Sequence, residues 1–149
     1  MPIGELCNRE VIFATRDNTV TEAAELMRHH HVGDLVVVDE KFGQRVPIGM
    51  LTDRDLVVEI LAKEVAIDDV TVGDLMSIEL VTARESDGVY ETIQLMRAKG
   101  VRRLPVVNQK GGLVGIVSGG DLLELLAEEI SGLVKLVSRE QQREKKTRP

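Results

Sequence analysis

Aromatic side chains are almost missing: the 149 residues include no Trp, one Tyr and two Phe. The flat platforms on which proteins stack single-stranded bases are therefore absent. Net positive charge is missing too. A formal charge of −6 argues against wrapping a phosphate backbone, since sequence-independent nucleic-acid affinity comes from clustered Lys and Arg. Cysteine occurs once, at Cys7, so no intramolecular disulfide can form and a cysteine-based metal site is not expected. Nothing near Cys7 in sequence would obviously lower its pKa, and it is expected as a buried structural thiol. No apolar run approaches the ~20 residues that span a bilayer, and the opening MPIGELCNRE lacks a basic segment followed by an apolar core. A cytoplasmic protein with no membrane association is the expectation.

Catalytic signatures are also lacking. No GxxxxGK[ST], GxGxxG or HExxH pattern occurs, and no grouping of Ser, His and acid stands out. The run His29, His30, His31 cannot converge on one ion, because neighbours on a helix point 100° apart. It reads as a solvated helix end, with His31 at most lining a cleft. No enzyme, no bound metal and no required cofactor are expected.

What is present is a repeat. IGELCNREVIFATRDNTVTEAAELMRHHHV from Ile3 aligns without a gap on VGDLMSIELVTARESDGVYETIQLMRAKGV from Val72, at an offset of 69. Gly4 matches Gly73, Leu6 matches Leu75, Glu22 matches Glu91, Met27 matches Met96 and Val32 matches Val101. A loop three residues shorter in the second copy then brings GMLTDRDL, from Gly49, into line with GIVSGGDL, from Gly115. The period is too long for a solenoid and marks a duplicated subdomain.

Helical spacing of Val20, Ala23, Ala24 and Met27 predicts a helix over Thr19 to His30, and Val89, Ile93 and Met96 predict another over Val89 to Lys99. LVVVD from Leu35 and LPVVN from Leu104 are strand-like, followed by the loops KFGQR and QKGG and a second apolar strand. Their unbroken apolarity suggests burial on both faces. DRDLVVEILAKE and GDLLELLAEEISGLVKLV are again helical, so each copy reads β-α-β-β-α in an α+β chain. The terminal SREQQREKKTRP reads as a solvated or disordered tail.

The doubled junction carries two readings. Thr52 or Ser118 can cap the helix that follows, with Asp55 or Asp121 answering from the third helical position. Alternatively, hydroxyl and first-turn N–H groups face a phosphate while the carboxylate accepts hydrogen bonds from a ribose diol. Both can hold at once. Gly119 and Gly120 lean toward the second reading, since each costs a helix up to ~1 kcal/mol and is easier to understand where backbone approaches a ligand.

Two β-α-β-β-α copies, the segment VRRLPVV from Val101 and the paired endings GMLTDRDL and GIVSGGDL resemble a tandem pair of CBS domains, or Bateman module. The resemblance implies repeats at residues 3–65 and 66–127, packed sheet to sheet about a pseudo-twofold axis, with a C-terminal helix and charged tail at 128–149. It implies two clefts able to take AMP, ADP or ATP, and sometimes related adenosyl compounds. Asp55 and Asp121 would then be ribose acceptors, with Thr52 and Ser118 near phosphate. Arg102 and Arg103 would meet phosphates from across the cleft, although a solvated pair at a strand edge is an equal alternative. The first copy departs from the pattern, with Gly33 and Asp34 at the matching positions and Val36 in place of Pro105. The arginines favour the Asp55 cleft as the phosphate site, whereas the glycines favour the Asp121 cleft.

The terminal helices carry more apolar residues than one internal face needs: Leu56, Val57, Ile60 and Leu61 in one copy, Leu122, Leu123, Leu125 and Leu126 in the other. A homodimer is the natural cover. Leu126, Ile130, Leu133 and Val137 add a seam that could extend that contact or meet an effector protein. The leading expectation is a regulatory module that senses an adenosine nucleotide, and the alternative is an assembly module of the same fold with empty clefts.

Overall fold

The computed structural model describes residues 1–148. Its elements run in two similar sets. The first comprises α1 (Ile3–Leu6), β1 (Phe13–Ala14), α2 (Val20–His30), β2 (Asp34–Lys41), β3 (Gln44–Thr52) and α3 (Asp53–Asp55), which widens over Leu56–Leu61 into an i→i+5 turn. A 3₁₀ turn over Ile67–Asp69 leads to the second set. That set comprises α4 (Val72–Leu75), β4 (Ala83–Arg84), α5 (Val89–Lys99), β5 (Arg103–Val107), β6 (Leu113–Ser118) and α6 (Gly119–Thr147).

Each set builds one three-stranded sheet, ordered β1-β2-β3 or β4-β5-β6. The first strand of each is parallel to the second, and the second is antiparallel to the third. Both hairpins shift register at equivalent places, Val37/Val38 and Val106/Val107. Leu35 to Val38 are all buried, as their unbroken apolarity predicts. Helix α2 starts at a full capping box between Thr19 and Glu22 and buries Val20, Ala23 and Met27, while Ala24 faces outward. The α+β architecture of two pseudo-symmetric repeats packed sheet to sheet, with a helical extension, is the one expected.

Three local features differ from the sequence reading. KFGQR is not a loop: Lys41 pairs with Gln44, and only Phe42 and Gly43 turn, with φ of 53° and 74°. Positive φ at both central residues matches the right-handed twist of a tight hairpin, and phenylalanine hid that turn from a composition-based reading. The tail is solvated, one of the two alternatives expected, but helical: α6 continues to Thr147 with residues 138–147 exposed. Residues 139–146 are all Arg, Glu, Gln and Lys, good helix formers that need no burial to extend an existing helix. Pro149, the last residue of the expected tail, lies outside the described residues.

The third difference is an exchange. The segment leading into each repeat packs on the other one. Ile3 N–H donates to Asp87 O (2.7 Å), Gly4 N–H donates to Glu85 O (3.0 Å), and Asn8 pairs in both directions with Ile116 (2.8 and 2.9 Å). Symmetrically, Val72 N–H donates to Asn18 O (2.9 Å), Gly73 N–H to Arg16 O (3.0 Å), and Ser77 pairs with Met50 (2.9 and 3.3 Å). Ile3 and Cys7 thus join the core of Ala83, Met96, Leu104, Val106, Val117 and Leu122. Val72 and Met76 join that of Ala14, Ala23, Met27, Leu35, Val37 and Leu51. Each core needs both repeats, and Ile3, fully buried, contributes on the order of 1.5–3 kcal/mol to a core it does not adjoin in sequence.

Candidate functional site

Thr52 and Ser118 end their strands in extended conformation and cap the helices that follow. Thr52 N–H donates to Asp55 Oδ2 (2.8 Å), and Asp55 N–H donates to Thr52 Oγ1 (3.1 Å). Ser118 N–H donates to Asp121 Oδ2 (2.9 Å), and Asp121 N–H donates to Ser118 Oγ (3.2 Å). The capping reading of the doubled junction therefore describes both copies. A further first-turn donor is used internally in each: Asp53 N–H bonds Gly33 O (2.9 Å), and Gly119 N–H bonds Arg102 O (2.8 Å). Few helix-start N–H groups remain for an anion, so charge there must come from side chains.

Several pockets are lined from both repeats, and two of them adjoin the doubled junctions. One, of about 350 Å³, is lined by Thr52, Met50, Ser77, Glu79, Leu80, Val81, Val101, Asp34, Arg102 and Arg103. The other, of about 240 Å³, is lined by Ser118, Asp121, Asn8, Glu10, Val11, Ile12, His31, Val32, Gly33, Asp34, Arg103 and Ile116. Only the first reaches the ~300 Å³ at which ligand pockets usually begin. Its two arginines balance two carboxylates, whereas the second sets three carboxylates against Arg103 and so repels an anion. His31 lines the second cleft, at the end of α2 with φ of 54°.

Asp34 and Arg103 belong to both clefts and form the wall between them. Arg103 Nη1 donates to Asp34 Oδ2 at 2.8 Å, across the repeats, with the aspartate side chain 13% exposed and the arginine 50%. Sequence reasoning placed Asp34 only as a departure from pattern. The usable signal was its alignment with Arg103: a pseudo-twofold brings equivalent residues near the axis together, and here they carry opposite charges.

The other expected site residues are distributed unevenly. Asp55 is half-buried beside Thr52 but does not line the cleft. Gly119 lines neither cleft; it borders an apolar groove between α5 and α6 with Ile93, Met96, Leu122, Leu123 and Leu126. Gly120 is exposed at the helix start, and a Cβ there would sit an ordinary 3.6 Å from Ser118 Oγ. Cys7 is buried, and burial pushes its thiol up, partly offset by Arg9, which suits a packing role rather than a nucleophile. Among the described residues, no cluster of three or more His, Cys, Asp or Glu is placed to hold a metal ion, and no helix is long and apolar enough to cross a membrane.

Comparison with known proteins places these features. The family model described as CBS domain matches twice, at residues 3–62 and 72–128. An uncharacterized protein of Methanopyrus kandleri is 40% identical over 123 residues, covering 83% of this chain; the chain spans 61% of that relative's length. The CBS domain pair of protein MJ0100, solved in complex with 5′-methylthioadenosine and S-adenosyl-L-methionine, superposes with a TM-score of 0.73 at 24% identity, covering 87% of this chain and 98% of that one. CBSX2, solved in complex with AMP, superposes with a TM-score of 0.71 at 24% identity, covering 85% and 96%. At that identity the likeness of the two structures is one of fold.

Proposed function

Because the chain belongs to the CBS-domain family, with its two copies forming a pair, we propose that it is a regulatory module that senses an adenosine nucleotide, AMP, ADP or ATP, in the cleft of Thr52, Arg102 and Arg103. One observation carries the reading: both arginines stand beside a capped helix start in the roomier of the two clefts that adjoin the doubled junctions. Met50, Leu80, Val81 and Val101 offer the apolar lining that a purine face needs, and the guanidinium groups offer the charge that phosphates need. The MJ0100 pair and CBSX2, bound to adenosyl ligands, share the fold and support the ligand class. The ribose roles expected of Asp55 and Asp121 are not needed in this reading, because Asp55 stands beside Thr52 without lining this cleft and Asp121 lines the other one. The glycines at 119 and 120 carry no weight in it. A homodimer that covers Val57, Leu61, Leu123 and Leu126, exposed by 53%, 73%, 69% and 48%, completes the proposal.

Calorimetric titration with AMP, ADP, ATP, NAD and S-adenosylmethionine tests it directly. At least one adenosine nucleotide should bind, and replacing Arg102 and Arg103 by Ala should weaken ATP more than adenosine, by about 1.5–3 kcal/mol for each charged hydrogen bond lost. Equal losses for the two ligands would assign the arginines to shape or folding. No binding at all would leave the assembly module with empty clefts, a reading favoured by the apolar exposure of the helices.

A further inference from the structure

The turn between β2 and β3 lies at the far end of those strands from Asp34, Thr52 and the clefts they line. Phe42, one of two phenylalanines in the chain, sits there fully exposed, with a φ of 53°. Positive φ at both Phe42 and Gly43 is the backbone that Asn-Gly or Asp-Gly adopts with least strain. A phenylalanine at that position is strained, and an uncovered ring gains nothing from packing. The fold supplies no reason for the ring.

Phe42 borders a hollow of about 560 Å³ to which the second repeat contributes Arg84, Ser86 and Lys110. That volume lies within the roughly 300–1,000 Å³ of small-molecule sites. Broken symmetry explains why the hollow is open. At the offset of 69, Arg16 corresponds to Glu85 and Asp39 to Asn108. In the first repeat Arg16 Nε and Nη2 donate to the two carboxylate oxygens of Asp39 (3.1 and 3.0 Å), tying the chain after β1 to β2. In the second, Glu85 and Asn108 include no guanidinium. The Asn108 amide donates instead to Gln44 Oε1 of the other repeat (2.9 Å), and Glu85 lies 3.9 Å from Arg9 Nη2.

Among the described residues, neither Arg84 nor Lys110 pairs with a carboxylate. In a chain of net charge −6, two unpaired cations thus share a hollow with an unused aromatic face. We propose that this hollow binds a small organic anion, a single carboxylate carried on a flat apolar body. The flat body packs on the Phe42 ring. The Arg84 guanidinium takes the carboxylate through two parallel hydrogen bonds, and Lys110 adds a second charge. Two cations less the one carboxylate of Glu85 leave the lining at +1, which matches a monoanion, whereas Glu85 repels a phosphate dianion. The site is separate from the clefts and does not depend on whether they hold a nucleotide.

Amide NMR titration of the full chain with benzoate tests the site, with acetate, benzyl alcohol and inorganic phosphate as probes of each half alone. Benzoate should shift and saturate the amides of Gly43, Gly111 and Gly112, and bind about tenfold tighter than each of the other three. Phe42→Asn should weaken benzoate about fivefold while the urea midpoint holds or rises, because asparagine suits the turn. Arg84→Gln combined with Lys110→Gln should reduce benzoate to the affinity of benzyl alcohol. Arg102→Ala combined with Arg103→Ala should leave the benzoate shifts unchanged, which separates this site from the nucleotide cleft. Benzoate shifts confined to the clefts or to the α5–α6 groove, or no saturable shift, would overturn the proposal. So would phosphate binding as tightly as benzoate, or a Phe42→Asn variant that binds like the wild type. A lower urea midpoint in that variant would assign the ring to the fold and overturn it as well.

Discussion

Gly49 and Gly115 open the two copies of the doubled motif, and their missing side chains are what let the exchanged segments pass. A Cβ on Gly49 would sit 2.6 Å from Ser77 O and 2.9 Å from Met76 Sδ. On Gly115 it would sit 2.5 Å from Cys7 Sγ and 3.0 Å from Asn8 O. In each case the obstacle includes a backbone carbonyl whose residue is paired to the strand carrying the glycine, so it cannot retreat cheaply. Gly49→Ala and Gly115→Ala should each destabilise the protein by about 1–3 kcal/mol, read as a lower urea midpoint with an unchanged slope. A neutral result would mean that the segments can step aside. Gly119 is the instructive contrast, since its nearest neighbour to an added Cβ is Arg102 O at 3.8 Å. Glycines in one octapeptide thus answer different demands, and spacing alone does not tell them apart.

At the scale of elements, what was legible had a period. Helices over Val20–His30 and Val89–Lys99 follow from apolar positions at helical spacing, and the capping boxes of the two doubled junctions follow from a hydroxyl three residues ahead of a carboxylate. The four-residue helices Ile3–Leu6 and Val72–Leu75 are too short to show a period. The exchange of those helices is invisible for another reason: two copies of one pattern present equivalent cores, so nothing local says which core a segment joins. The cleft-lining residues divide similarly: Thr52 is marked by the repeated junction, Arg102 and Arg103 were expected only from the family resemblance, and Asp34 was missed because its place depends on the axis. The anchoring of α2 yields a prediction on pH. Hydrogen bonds from the Thr19 N–H, the Thr19 hydroxyl and the Asn18 amide hold Glu22 below the usual carboxylate range, and the Arg16 guanidinium does the same for Asp39. A depressed native pKa adds stability above the unfolded value and loses it as pH falls through the native one. Stability should therefore decline below about pH 4, and Glu22→Gln with Asp39→Asn should flatten that decline in urea titrations between about pH 2 and 5. An acid limb as steep as that of the wild type would place the titrating groups elsewhere.

The whole molecule turns on its pseudo-twofold axis, where duplication has been broken by charge. A symmetric pair would set like residues at positions 34 and 103 against each other, and like charges there would repel. Instead Asp34 meets Arg103, and one ion pair becomes the shared wall of both clefts. Under the proposed function, a phosphate entering the Thr52 cleft would compete with Asp34 for the guanidinium and leave Asp34 facing the neighbouring cleft. Occupancy of one site would then be felt at the other through a single side-chain exchange, a coupling that must be reciprocal. The strength of the existing pair sets how much this competition costs. Ion pairs with one partner half exposed are worth up to about 1 kcal/mol, which is roughly a fivefold change in affinity. Asp34→Asn removes the competitor and one negative charge while keeping the side chain's size, so it should tighten ATP binding by about two- to fivefold. Adenosine, with no phosphate to draw on Arg103, should bind unchanged, and the gain should shrink as salt is raised toward 1 M. Calorimetry on the variant with both ligands separates the outcomes: equal tightening for adenosine and ATP would make Asp34 a steric barrier, and no tightening would mean that Arg103 stays with its own wall when the cleft fills.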